Sequence, residues 1–257
     1  MIKMDMLGPS QLWYRDCPLA LPPLEKVICI ALHVVGGTRS MKELAQDIWV
    51  SPSPASVRTL SSCLSRSRHR VIAAGGTAEQ LSRTIRRGND QTLVCLGDGW
   101  DVDADRFHDG IAAARVAYES GQYGEARDQA AAALKLWYDD PLPDASGRSF
   151  AVKYVDDLKT LHQSLVLTRI KAQICLGWHR EVTAELRQLT RERPEETEAW
   201  MLLAIALYRS YLVPEAVHVC QRAISAREEL GIAARHLQEL QYAIINEQAP
   251  TRGPLGF

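Results

Sequence analysis

At 257 residues, with 46% hydrophobic and 24% charged side chains, the chain is too long for one small core and too apolar to be disordered. It holds no 18-residue apolar run and no basic, apolar leader at its N-terminus, which excludes a membrane-spanning helix and reads as a cytoplasmic protein. The net charge of -1 conceals an asymmetry: residues 1–97 carry 12 Lys and Arg against 7 acids, whereas the remainder carries 18 against 24, so a basic first part is joined to an acidic second part.

The first stretch, Ile2 to Leu7, alternates apolar and polar residues and is punctuated by Gly8-Pro9. Leu12-Trp13-Tyr14 and, beyond Cys17-Pro18, Leu19-Ala20-Leu21 follow, predicting a small antiparallel sheet of three short strands. After Pro22-Pro23, a helix from Leu24 to Val35 gathers Val27, Ile28, Ala31, Leu32 and Val35 on one side and stops at Gly36-Gly37. Ser40 and Glu43 are placed as the two halves of a capping box for a second helix, whose buried face is Leu44, Ile48 and Trp49.

A Pro-rich loop, Val50 to Pro54, leads into a third helix from Ala55 to Ile72. At 100° per residue, Val57, Leu60, Leu64 and Val71 form one stripe, and Arg58, Ser62, Ser65, Arg66 and His69 lie opposite. Ser53 or Ser56 can cap its start and Gly75-Gly76 can end it. Between Ala55 and Gly88 the charged residues are Arg58, Arg66, Arg68, Arg70, Arg83, Arg86 and Arg87 against Glu79 alone. Two readings stand: a solvated basic face, or a face that meets a polyanion. The segment from Ala73 to Asn89 suits either an extra helical turn or a strand. Gln91 to Leu96, the turn Gly97-Asp98-Gly99 and Trp100 to Asp103 read as a C-terminal β-hairpin. Helix, turn, helix and hairpin in this order form a winged-helix arrangement, in which the last helix can enter a major groove and the hairpin can reach the backbone or minor groove.

From Asp105 the pattern is helical throughout. The loops at Gly121 to Ala126, Leu176 to Val182 and Tyr208 to Ala216 repeat a tetratricopeptide-like turn, and Glu181 and Glu215 stand 34 residues apart, the length of one such helix pair. Three helix pairs and a closing helix from about Ala233 to Glu247 are predicted to stack on shared cores. The expected fold is therefore mainly α with a small antiparallel β component: a winged helix over residues 1–103, an all-α tetratricopeptide-like domain over 104–248, and a disordered tail over 249–257.

Met6-Leu7-Gly8-Pro9, Trp13, Leu44 to Trp49, the Pro-rich loop and Leu64-Ser65-Arg66-Ser67-Arg68 resemble the N-terminal domain of the Streptomyces antibiotic regulatory proteins. Leu136-Trp137-Tyr138-Asp139-Asp140-Pro141-Leu142 is similar to the signature of their bacterial transcriptional activator domain. The resemblance covers Ile2 to about Gln248. It implies a transcriptional activator of secondary-metabolite gene clusters, with a winged helix similar to the effector domain of response regulators. Its implied partners are double-stranded promoter DNA bearing direct repeats, RNA polymerase holoenzyme, and a second copy of the chain.

By that resemblance Arg58, Thr59, Ser62, Ser65, Arg66 and His69 face the groove, with Arg68 and Arg70 on its flanks and Arg83, Arg86 and Arg87 supplying wing charge. The chain departs from the family at Ser67, where an apolar residue is usual, and at Cys95-Leu96, where a basic residue is usual; Asp98 makes the expected wing tip acidic.

Chemistry of other kinds is not signalled. Six scattered cysteines form no C-x-x-C pair, the acids from Asp101 to Asp105 lack the Gly and Glu of a calcium loop, and no phosphate-binding glycine motif occurs. No cofactor, metal or enzymatic activity is expected. The rival reading is a helical-repeat scaffold for a protein or ligand, with a winged helix that does not bind DNA.

Overall fold

The computed structural model describes residues 1–36, 38–87, 91–229 and 231–248, with residues 86, 87 and 91 described by their backbone. The predicted tail, residues 249–257, lies outside the described residues. The described residues form two compact units, one of residues 1–109 with 133–162, the other of 110–132 with the chain from 163 onward.

In the first unit, β1 (Ile2–Asp5) and β2 (Gln11–Tyr14) pair antiparallel as the sequence predicts, but the third strand, β3, is Cys17–Pro18 rather than the expected Leu19 to Leu21. Ile2 and Met4 point into the core while Lys3 and Asp5 are half-buried. α1 (Pro23–Val34) follows, and the two-residue β4 (Arg39–Ser40) leads into α2 (Met41–Ile48). The capping box of α2 is present: Ser40 N donates to Glu43 Oε2 at 2.8 Å and Glu43 N to Ser40 Oγ at 3.2 Å. α3 (Pro54–Ala73) is the basic helix. Val27, Ile28, Ala31 and Leu32 of α1, Leu44, Ala45 and Ile48 of α2, and Leu60, Cys63 and Leu64 of α3 share one core.

The expected C-terminal hairpin is not formed, and the wing lies one strand earlier. A single helical turn, α4 (Ala78–Leu81), precedes β5 (Ser82–Arg87), which pairs antiparallel with β6 (Gln91–Leu96) over the register Ser82↔Leu96 to Arg87↔Gln91. The segment left open between a turn and a strand is therefore both. β6 also pairs with β4, so both its edges are taken and none remains for β7 (Trp100–Val102). β7 instead pairs parallel with β1, completing a sheet of order β3-β2-β1-β7. Asp98 is accordingly not at the wing tip. It sits at the opposite end of β6, where Arg83 Nη2 reaches its Oδ1 at 2.5 Å. The tip between β5 and β6 falls at residues 88–90, outside the described residues.

α5 (Asp103–Glu119) starts at a buried acid, and its carboxylate accepts Met6 N at 2.7 Å and Leu7 N at 3.0 Å. The same turn of chain receives the activator-domain signature. Tyr138 N and Asp139 N donate to Leu7 O, Leu142 N to Met6 O, and Tyr138 Oη to Pro9 O at 3.0 Å. A Cβ at Gly8 would lie 2.3 Å from Tyr138 Cε2, so the ring occupies the space that any other residue would need. Trp137 packs between Phe107 and His162, at ring-centroid distances of 5.7 and 4.6 Å.

The predicted helix pairs fall mainly in the second unit, with residues 103–109, 133–134 and 149–162 of their helices belonging to the first. α5 and α6 (Tyr123–Leu134) are followed by α7 (Ser149–Cys175) with α8 (His179–Glu192), then α9 (Thr197–Arg209) with α10 (Val213–Glu229), and α11 (Arg235–Ile245) closes the series. Ala117, Ala126 and Ala172 let α5, α6 and α7 approach closely. Every residue of α9 from Ala199 to Arg209 is buried, which places this helix at the centre of a core shared with α7, α8, α10 and α11.

Two predictions follow from the Met6 to Gly8 turn. Gly8→Ala destabilises the protein by about 1–3 kcal/mol through overpacking, and Tyr138→Ala in the same chain recovers part of that loss, which a double-mutant cycle in urea measures. Burial pushes the Asp103 carboxyl up to about 6. The folded state therefore binds the proton more tightly than the unfolded state, and this group's contribution to stability is lost as pH rises from about 4 through 6. The stability of the native chain relative to Asp103→Asn falls by about 2–3 kcal/mol between pH 4 and pH 7, read from urea midpoints.

Candidate nucleic-acid interface

α3 owes its two faces to its sequence period. Leu60, Leu64, Ser67 and Val71, at i, i+4, i+7 and i+11, are buried, while Arg58, Ser62, Ser65 and His69 hold the same spacing on the exposed side. Thr59 and Arg66 flank the exposed stripe. Some of its polar groups are held by the helix itself: Thr59 Oγ1 donates to Ala55 O at 3.0 Å, and His69 Nδ1 donates to Ser65 O at 2.7 Å, which turns its Nε2 outward. Arg58 has no ion-pair partner among the described residues, and the hydroxyls of Ser62 and Ser65 are exposed.

The other arginines of α3, Arg66, Arg68 and Arg70, are hydrogen-bonded within the fold. Glu25, in the first turn of α1, is 1% exposed and lies against α3. Its Oε1 accepts from Arg66 Nε at 3.0 Å, and its Oε2 accepts from Ser67 Oγ at 2.8 Å and from an Arg70 guanidinium N–H. A buried carboxylate needs such donors, because leaving it unpaired in a core is costly. The hydrogen bond to Glu25 raises the Arg66 guanidinium above its ordinary value. Ser67 is thus the polar residue that the buried acid requires at a position where an apolar one would leave Glu25 short of a donor. Arg66 Nη2 also reaches Cys63 Sγ at 3.1 Å, and burial raises that thiol despite the neighbouring guanidinium.

Arg68 turns toward the wing, donating from Nε to Ser82 Oγ at 3.0 Å and from Nη2 to Thr84 Oγ1 at 2.7 Å. Burial lowers its pKa. It fixes β5 against α3. Arg83 pairs with Asp98, and the side chains of Arg86 and Arg87 lie outside the described residues. Of the residues placed at a polyanion by sequence, the structure brings Arg58, Thr59, Ser62, Ser65 and His69 together on one exposed face, with Arg66 at its edge, 56% exposed and shared with Glu25. Arg68 and Arg70 are drawn inward.

Glu25 is the residue that the sequence reading did not single out. Its signal was available: it occupies the stripe of α1 that continues through Ile28 and Leu32, as Ser67 interrupts the apolar stripe of α3. Two polar residues at core positions on two packed helices point to a bond between them.

An exposed polar helix, a two-stranded wing beside it and helix pairs on the same chain define a winged-helix protein carrying a helical-repeat domain. A model of the bacterial transcriptional activator domain matches residues 102–245. The chain belongs to that family of transcriptional activators, as its resemblance to the Streptomyces antibiotic regulatory proteins implies. It is 31% identical over 253 residues to the regulatory protein AfsR of Streptomyces coelicolor and 28% identical over 257 residues to that of Streptomyces griseus, in each case across 95% of this chain and 24% of the relative. The chain thus spans about a quarter of the length of these curated relatives. Its fold is similar to that of Mycobacterium tuberculosis EmbR, solved in complex with a low-affinity phosphopeptide, with a TM-score of 0.85 at 22% identity over 97% of this chain and 66% of that one.

The Glu25 cluster yields a stability prediction. Glu25→Ala leaves Ser67 and two cations without their shared acceptor and lowers stability by about 1–3 kcal/mol, the lower end reflecting the solvent that already reaches both arginines. Arg66→Ala costs less than Glu25→Ala, because Ser67 and Arg70 still donate to Glu25 Oε2. Equal losses from both substitutions would show that the pair, rather than the buried acid, is what matters.

Proposed function

We propose that the protein is a sequence-specific DNA-binding transcriptional activator whose α3 reads the major groove of promoter direct repeats. The observation that carries this reading is the exposed stripe Arg58, Ser62, Ser65 and His69, flanked by Thr59 and Arg66, on the helix that precedes the wing. Arginine suits guanine O6/N7 or phosphate, and the hydroxyls suit phosphate or either base edge. Arg66 reaches DNA by exchanging its bond to Glu25 for a base or phosphate. Arg68 and Arg70 act one step removed, by holding α3 to the wing and to α1. Arg83, Arg86 and Arg87 bring β5 to the phosphate backbone.

The genes addressed are those of a secondary-metabolite cluster, and activation proceeds through RNA polymerase holoenzyme; membership of the activator family and the resemblance to the Streptomyces antibiotic regulatory proteins support this reading. Two copies on adjacent repeats, paired through the helical domain, complete the reading. No cofactor, metal or catalytic step enters it, and the protein acts in the cytoplasm.

The test is fluorescence anisotropy on duplexes from promoter regions adjoining the gene, at two salt concentrations. Binding is selective over random DNA and weakens steeply with salt, as neutralised phosphates require. Arg58→Ala weakens the specific site by about 1–3 kcal/mol and flattens discrimination among sites. Affinity no higher than for random DNA, unchanged by Arg58→Ala, would instead make the helical-repeat scaffold the function.

A further inference from the structure

Within the acidic second part of the chain, a groove gathers the opposite charge. It lies between α8 and α10, over α9, and encloses about 470 Å³. Arg187 and Arg191 line it from α8, His218 and Arg222 line it from α10, and Glu215 is the acid that faces them. Residues 98–257 as a whole carry 24 acids against 18 Lys and Arg, so this local excess of cations runs against the charge of the chain around it.

The cations differ in what already holds them. Arg187 Nη2 meets Glu215 Oε2 at 2.7 Å, and the two charges offset one another. The Arg222 guanidinium lies over the Trp200 ring, 5.5 Å from its centroid. Trp200 is buried in α9 and its Nε1 donates to Pro194 O at 3.0 Å, so this platform is fixed. A guanidinium stacked on an indole keeps its N–H groups in its own plane, where a carboxylate can take two of them. Arg191, one turn beyond Arg187, and His218, one turn before Arg222, have no ion-pair or side-chain hydrogen-bond partner among the described residues.

Leu203 and Val219 add an apolar floor. From Pro214 to Arg222 the groove follows α10 for roughly 12 Å at the helical rise. That is about the length of four extended residues.

We propose that this groove docks a short acidic peptide segment of a protein partner. Two of its carboxylates meet Arg191 and Arg222, and an apolar side chain between them rests on the floor. Nucleic acid is the poorer occupant, because a duplex spreads its phosphates far beyond the groove and would bring them against the acids of the surrounding surface. The site stands independently of DNA binding by α3.

The experiment titrates the full chain with a rhodamine-labelled peptide, Glu-Leu-Glu-Leu-Glu, and with its neutral counterpart Gln-Leu-Gln-Leu-Gln under the same label, following fluorescence anisotropy at low salt. The native protein binds the glutamate peptide at least about tenfold more tightly, the sum expected of two exposed charge pairs. Arg191→Ala and Arg222→Ala each cut that preference by about threefold or more. Arg180→Ala removes an exposed cation of α8 outside the groove, and Arg58→Ala removes one from the exposed face of α3; both leave the preference unchanged. Near-UV circular dichroism verifies that each variant is folded, and where Arg222→Ala is not, the comparison of Arg191→Ala with Arg180→Ala decides. No preference for the glutamate peptide, or a preference that Arg180→Ala or Arg58→Ala lowers as much as Arg191→Ala does, overturns the proposal. If the chain then also self-associates, and Arg191→Ala abolishes that association, the occupant is a second copy instead.

Discussion

The Asp103 carboxylate is the contact on which the first unit is assembled. It is the first residue of α5, directly after β7, and it accepts the backbone N–H groups of Met6 and Leu7. That bond fixes the carbonyls of the same two residues where Tyr138, Asp139 and Leu142 donate to them. One acid therefore joins the N-terminal strand, the start of α5 and the loop before α7. A neutral side chain could not accept both N–H groups with equal geometry, which explains why a carboxylate sits there although burial opposes its charge. The two sequence signatures, Met6 to Pro9 and Leu136 to Leu142, are two sides of one joint, and Gly8 is small because Tyr138 lies over it.

The basic helix shows why counting charges on a sequence overstates the charge offered to a partner. Seven arginines between Ala55 and Gly88 face a single acid in that stretch, yet Glu25, thirty residues earlier, holds two of them. Arg68 gives its donors to Ser82 and Thr84 of β5. These three arginines set the position of α3 between α1 and the wing, and the exposed stripe is presented by their work rather than by their charge. A surface with fewer free cations depends more on hydroxyls and on the register of the helix, which favours discrimination over general attraction.

Local patterns were legible where local forces decide. The capping box of α2, the apolar stripes of α1 and α3, and the 34-residue spacing of the later helix pairs follow from interactions within a few residues, and the structure shows them. The wing was not legible for a physical reason. Ser82 to Arg87 carries polar residues on both faces, because Arg83, Thr84 and Ile85 are all exposed, so no alternation marks it as a strand. Gln91 to Val102 reads as a hairpin because its turn is short and rich in glycine, but pairing is settled by which edges are free, and β6 has none left. At the site, the exposed stripe followed from helical period, whereas the inward turn of Arg68 and Arg70 depended on side chains distant in sequence.

The parallel pairing of β1 with β7 sets an order of events during synthesis. Ile2 and Met4 find their partners in Trp100 and Val102. Until that part of the chain has left the ribosome, the outer edge of β1 carries unpaired backbone groups beside an apolar face, the state most open to pairing with another chain. Helices α1 to α3 can gather their shared core meanwhile from contacts close in sequence, so the sheet is the late step and the helical core the early one. A chain interrupted before residue 100 would therefore keep its basic helix but lose the strand that closes the N-terminal sheet, and aggregation rather than inactivity would be its characteristic failure.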